Sequence, residues 1–364
     1  MDIVKYFPEE AKKALSKRGT DVISEIGEDI IKDVVLNVLV GENLRDNTEL
    51  LTRKRLLTLN AATLFMLIKG QSEDPEFIAK LHERAEARLS QKGVPRHEKW
   101  ILQWALGLTD KAFQNVLRDD IKNLQTYKEN YKNVLLKSVA EFEKDYGKLA
   151  GNLKIGDIDA AVDWDLMSYL MTLVGSQTLA IRGSDKSSFG KLFEKLVLGS
   201  LLSILGFRQV EPTNIGDGNK VFWLSERKDK RESDGTLLFE KGKGVRFDIG
   251  FIGRGNPEIS LDKVSRFERE LEINSTKYYI ATIIIVDTIG ANSRIESLAE
   301  KIDGNLVQMS GAYWPRKVAQ VLNQKIGYDD EILRLSGTEL HNLLKARLEK
   351  VDFKSLVKQG FDTK

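Results

Sequence analysis

Cysteine is absent from this 364-residue chain. That excludes disulfides, thiol nucleophiles, zinc ribbons and cysteine-ligated iron–sulfur clusters together, and it suits a reducing, cytoplasmic setting. Histidine is nearly absent. His82, His97 and His341 are the full set, and none stands at metal-ligand spacing from another. A Ser-His-Asp triad, an HExxH zinc site or an HNH-type nuclease each needs a histidine beside other recognisable parts, and those parts are missing. No apolar run approaches the length of a bilayer span. The longest, Tyr278 to Val286, is half of what a membrane helix needs. The opening Met1-Asp-Ile-Val-Lys5 has no basic stretch followed by an apolar one, so no secretory signal is expected. An excess of one charge is also lacking. With 56 basic and 54 acidic residues, any cationic surface must be local.

What is present is globular. Hydrophobic residues at 41% and charged residues at 30% exclude disorder and collagen-like repeats, and the length suits one large or two medium domains. The first 150 residues read as helices. Val22, Ile26, Ile30, Val34 and Val38 recur every fourth residue, and Leu56–Ile68 and Trp100–Leu108 are apolar stretches of helix formers. Asp110 to Tyr146 is charged with few breakers, which predicts one long exposed helix available as a dimer surface. Three glycines between Gly147 and Gly156 mark a domain boundary. The expected division is therefore 1–150, a helical domain, and 151–364, a second domain of different pattern.

Beyond the boundary the pattern changes. Phe189, Leu192, Phe193, Leu196, Val197, Leu201 and Leu205 outline one face of a helix that Gly206 stops. Val221–Leu224 predicts a short strand, and Glu226–Gly244 a charged loop or hairpin. Val245, Phe247, Ile249 and Phe251 alternate with Arg246, Asp248 and Gly250, as in a strand with one apolar face. Ser260–Glu272 returns to helical spacing. Tyr278–Val286 predicts a buried central strand, followed by a helix (Arg294–Ile302), a strand (Leu306–Met309) and a helix (Tyr313–Leu322). The expected class is α+β or α/β, a mixed sheet with helices on its faces.

Phosphate loops fail. Gly183-Ser-Asp-Lys-Ser-Ser-Phe-Gly-Lys191 has Leu192 where a P-loop needs Ser or Thr, and Gly253-Arg-Gly255 lacks the third glycine of a dinucleotide fingerprint. Carboxylates remain. Asp248 is held on a strand whose other face is apolar, a rigid anchor that suits a divalent cation. Glu258 follows ten residues later and Lys263 five beyond that. Upstream, Glu194 lies on the polar face of its helix beside Lys191. These residues either converge on one sheet edge or are ordinary surface charges.

A helix with a Glu, a strand with an Asp, a second acid 10 to 20 positions on and a nearby Lys resemble the PD-(D/E)xK nuclease core. The strings Ile181-Arg-Gly-Ser-Asp-Lys-Ser-Ser-Phe-Gly-Lys-Leu-Phe-Glu194, Arg246-Phe-Asp-Ile-Gly-Phe-Ile-Gly-Arg-Gly-Asn-Pro-Glu-Ile-Ser-Leu-Asp-Lys263 and Asn43-Leu-Arg-Asp-Asn-Thr-Glu-Leu-Leu-Thr-Arg-Lys-Arg55 are similar to type II restriction endonucleases of the CfrBI-like family. One departure stands out: Ser260 occupies the place of the expected Glu-x-Lys lysine, so either Lys263 replaces it or the second acid is Glu270 or Glu272 on the following helix. The resemblance implies Mg²⁺-dependent hydrolysis of double-stranded DNA at specific sites. Asp248, Glu258 and Glu194 would be the metal acids, and Lys263 would orient water or offset negative charge.

It also implies a homodimer, because one site nicks one strand and a palindromic target matches a two-fold axis. Arg182, Lys186, Lys191 and Arg254 would meet phosphates. Arg266 and Arg269, three apart on a helix with Glu268 between them, would read guanine edges. Arg53, Lys54 and Arg55 form a second basic patch, or else a solvated helix start. The competing readings are a scaffold that binds DNA or protein without cutting and a repair nuclease on the same core.

Overall fold

In this computed structural model, residues 2–15, 23–24, 26–118, 120, 122–216, 218–225, 233–251, 270–273, 276–287 and 304–361 are described. The helices are α1 Glu9–Lys12, α2 Glu28–Val40, α3 Leu44–Glu73, α4 Leu81–Leu89, α5 Arg96–Ala105, α6 Asp110–Leu117, α7 Lys122–Tyr146, α8 Trp164–Ile204, α9 Trp314–Ile326, α10 Gly337–Leu348 and α11 Phe353–Phe361. The strands are β1 Gly151–Ile155, β2 Ile158–Val162, β3 Arg208–Gln209, β4 Val221–Leu224, β5 Gly235–Glu240, β6 Lys243–Gly250, β7 Glu270–Ile273, β8 Thr276–Val286 and β9 Gly304–Gln308. The chain forms two compact units, one of Met1–Lys17 with Leu50–Ser187 and one of Arg18–Glu49 with Ser188–Lys364. Their boundaries fall inside α3 and α8, so the expected cut near residue 150 does not coincide with them. No helix among the described residues is long and apolar enough to cross a membrane.

The first unit is helical, with one hairpin. Trp100, Ile101, Trp104 and Ala105 bury one side of α5 in a core that includes Leu59, Leu67, Phe77 and Leu81. The expected single helix over 110–146 is two helices. Thr109 caps α6 by accepting from the Ala112 N–H at 3.2 Å, and Arg118, in the left-handed region at φ 43°, ends it. Helix α7 then buries Leu124 and Leu135, and Tyr127 and Tyr131 pack on the same core. The glycine-rich stretch read as a boundary is the hairpin β1–β2, turned by Gly156-Asp157. The helix expected over 189–205 begins at Trp164.

The second unit carries the seven-stranded mixed sheet, in the order β3-β4-β5-β6-β8-β7, with β9 also on β8. Strands β4, β5 and β6 form an antiparallel meander. Strands β6, β8 and β9 run parallel. Ile280 and Ile283–Val286 of β8 are buried, as the apolar run predicted. Helix α2 belongs to this unit. Its buried stripe is Ile31, Val34, Val35, Val38 and Leu39, while Ile30, expected inward, is 41% exposed. A strict four-residue repeat drifts around a helix of 3.6 residues per turn, which turns Ile30 outward. Branched residues lose up to about 0.7 kcal/mol each in a helix relative to alanine. Burying each side chain returns roughly 1.5–3 kcal/mol, so packing decides that this segment is helical. Gly41, at φ 111°, ends the helix, and an added Cβ would lie 2.9 Å from the Gly311 carbonyl. The Trp314 indole N–H donates to the Val38 carbonyl at 2.7 Å.

The end of α8 is fixed by two caps. Arg347 donates to the Ile204 carbonyl at 2.8 Å while paired with Asp330, and the Tyr328 hydroxyl donates to the Leu205 carbonyl at 3.0 Å. Burial pushes the Tyr328 hydroxyl pKa well up, so it stays protonated as a donor.

Candidate active site

Strand β6 places Asp248 in the middle of the sheet, between β5 and β8, with Ile284 of β8 beside it. The expected alternation holds: Val245, Phe247 and Ile249 are buried on the apolar face. Asp248 was expected on an open polar face. Instead it is only 4% exposed. A carboxylate confined this way is costly to keep charged without close partners, which makes the position a site candidate rather than surface decoration.

A second carboxylate stands beside it. The β5–β6 register ends at Gly235↔Phe247. Asp234 immediately precedes β5, at the strand end nearest Asp248. The Asp234 carboxylate accepts from the Ile249 N–H at 2.9 Å. A side chain thus closes the end of the ladder and holds the peptide that follows Asp248. Asp234 was missed in the sequence because Glu226–Gly244 read as a charged loop. Its signal was Ser233-Asp-Gly235 directly ahead of the apolar Thr236-Leu-Leu-Phe239.

Helix α8 approaches the same corner. A Cβ on Gly235 would lie 3.0 Å from Leu198 Cδ2 and 3.5 Å from Leu224 Cδ2, so a side chain there would press on the helix. Glu194 is half-buried and one turn before Leu198, on the same side of the helix. Lys191 is exposed three residues earlier, and Arg182 is exposed further up α8.

The remaining candidates divide. Arg254, Glu258, Lys263, Arg266, Glu268 and Arg269 lie outside the described residues, as do the expected helix Arg294–Ile302 and the side chain of Lys186. Glu270 and Glu272, expected on a helix, lie on β7, which pairs antiparallel with β8 through Glu270↔Tyr279 to Ile273↔Thr276. The sequence Glu-Leu-Glu-Ile alternates with the period of a strand, a signal that the helical spacing before it obscured. In the other unit, Arg53 and Lys54 are exposed. Arg55 is not: it is 6% exposed and its Nε donates to the Ala14 carbonyl at 2.6 Å. It therefore stitches two chain segments together instead of facing a phosphate.

Comparison with known proteins settles the family. The sequence model of the CfrBI restriction endonucleases matches residues 28–294. The type II restriction enzyme CfrBI of Citrobacter freundii is 40% identical over 358 residues, covering 97% of this chain and 98% of that enzyme. The chain belongs to the CfrBI restriction endonuclease family. It is a type II restriction endonuclease, a hydrolase of DNA. No solved structure matches. The family match includes Glu194, Asp234 and Asp248, and it takes in α2 and α3 as well as the sheet as far as β8.

The two aspartates carry hard oxygen donors, which suit a hard divalent cation better than a soft metal. Among the described residues, no group of three or more His, Asp or Glu gathers at one point.

Proposed function

We propose that the enzyme cleaves double-stranded DNA at specific sites by Mg²⁺-dependent phosphodiester hydrolysis, on a PD-(D/E)xK-type core centred on Asp234 and Asp248. The observation that carries this is the buried Asp248 on β6 with the Asp234 carboxylate, just ahead of β5, bound to the next residue's N–H, in a chain of this family. The meander β4–β5–β6 followed by parallel β8 and β9 supports such a core. Asp234 and Asp248 hold the cation. Bound there, Mg²⁺ would polarise the phosphate and activate water. Lys263 offsets charge on the phosphate oxygens. Glu258 or Glu194 supplies a further oxygen. Arg182, Lys191 and Arg254 neutralise backbone phosphates, and Arg266 and Arg269, oriented by Glu268, read guanine edges. Two copies act together, one on each strand.

The experiment is Asp248→Asn, which keeps shape and removes charge. Cleavage of a sequenced plasmid in Mg²⁺ should fall below about one hundredth of the wild-type rate, equivalent to about 2.7 kcal/mol of lost transition-state stabilisation. Binding to the same DNA should be largely kept. Cutting at more than a few per cent of the wild-type rate would overturn the assignment.

A further inference from the structure

We propose that the exposed edge of β1 is where two copies of this chain join, by antiparallel pairing of β1 with β1 of the second copy across a two-fold axis at Leu153. The inference rests on the two-copy reading above and names its surface.

The hairpin β1–β2 stands as a sheet of two strands. Such ribbons are marginal in water unless something covers them. One face is covered by its own unit: Ala160 is buried in the core, and Ile155 and Ile158 pack against it. Leu153 pairs with Ala160 and so lies on that same face, yet it is 36% exposed, and among the described residues no strand other than β2 pairs with β1. Gly151, Asn152, Leu153 and Lys154 are exposed in succession. The root is held firmly. The Trp164 indole N–H donates to the Gly147 carbonyl at 2.8 Å, and its ring packs on Phe142 and Tyr146 at 5.5 and 6.3 Å.

The register decides which groups face outward. In a two-residue hairpin the flanking pair, here Ile155↔Ile158, is hydrogen-bonded, and bonded pairs alternate with non-bonded ones. Leu153 therefore bonds to β2, while Asn152 and Lys154 turn their N–H and C=O groups away. A two-fold axis at Leu153 sets Asn152 against Lys154 of the other copy, twice. That arrangement makes four hydrogen bonds and opposes no like charges. Leu153 meets its own counterpart in a non-bonded pair, where Cα atoms approach to about 4.5 Å and side chains touch. The β2 edge is unsuited, because Asp157 and Asp159 line the tip and that strand, and acids at an edge deter pairing. The same acids argue against this ribbon entering a DNA groove.

The test exploits the absence of cysteine: in Leu153→Cys any disulfide must join two copies. The distance expected across the axis lies within the range that a disulfide spans. Under mild oxidation, Leu153→Cys should convert most of the protein to a covalent dimer, while Asp159→Cys, also exposed but on the other strand, should stay monomeric on a denaturing gel. If the wild type sediments as a dimer but Leu153→Cys does not cross-link, or both variants cross-link equally, the β1 edge is wrong and the two-copy reading survives. If the wild type sediments as a monomer both free and on its DNA, that reading itself fails. Leu153→Arg completes the set. Loss of the dimer is expected; a persistent dimer with weakened DNA binding would make the hairpin a DNA contact and overturn the proposal.

Discussion

His82 should make the helical unit acid-labile, by an amount that can be worked out. Its ring is fully buried between Tyr131 and Tyr169, at centroid distances of 5.1 and 4.8 Å. Neither ring nitrogen has a hydrogen-bond partner among the described residues. Burial pushes its pKa from the ordinary 6.5 down to about 4; Glu83 opposes this, and Lys132 and Lys128 add to it. In the unfolded chain the ring returns to its ordinary value. At pH 7 both states hold it neutral. Between pH 6.5 and 4 the unfolded state binds the proton more readily, so stability falls as the pH falls and the whole contribution is gone below about pH 4. A displacement of about 2.5 units corresponds to roughly 3 kcal/mol, of which about 2.5 kcal/mol is lost by about pH 4.5.

The perturbation is His82→Phe, which keeps a ring between the tyrosines and removes the titration. Urea unfolding of both proteins, followed at several pH values, gives a difference in which the carboxylates common to both cancel. Relative to its own value at pH 7, wild type should lose about 2.5 kcal/mol more than the variant by about pH 4.5. The variant should be at least as stable at pH 7, because two buried nitrogens without partners are gone. A difference flat to about 0.5 kcal/mol over that interval would refute the reasoning.

Gly235→Ala should cost about 1–3 kcal/mol, because its Cβ must displace Leu198. It should also slow DNA cleavage by shifting Asp234; a destabilised variant that cuts at the full rate would detach Asp234 from the chemistry. Arg55→Ala should lower stability by about 1–3 kcal/mol by leaving the Ala14 carbonyl short of a donor. Arg53→Ala and Lys54→Ala, both exposed, should change it by less than about 0.5 kcal/mol in the same urea measurement. Weaker DNA binding by Arg55→Ala without loss of stability would contradict its inward placement.

The sheet was legible wherever periodicity was undivided. The apolar run 278–286 and the alternation around Asp248 are visible because a strand of continuous apolar residues and one that alternates apolar with polar residues leave different patterns. Of the proposed pair, Asp248 was visible because it interrupts an apolar strand, whereas Asp234 stands at the mouth of β5 with charged sequence before it. Arg55 was misread because a basic triplet looks solvated. Its position on the inner side of α3, and the carbonyl waiting on a distant segment, are facts of tertiary packing. The hairpin at 151–162 hid behind glycines that mark a turn as readily as a linker.

Helix α2 waits for its partner. The carbonyl of Val38 is met by the indole of Trp314, 276 residues later in the chain. The Tyr313 N–H closes on Val40 at 3.2 Å, and Lys32 reaches Glu349 at 3.5 Å. At about 5–20 residues per second, a ribosome needs roughly 14–55 s to make the intervening chain. Throughout that interval the aliphatic stripe of α2 is without the residues that cover it. Strand β6 likewise has no parallel neighbour until β8 has been made. A nascent chain therefore cannot complete the mixed sheet until β8 and β9 have been made, long after β4, β5 and β6.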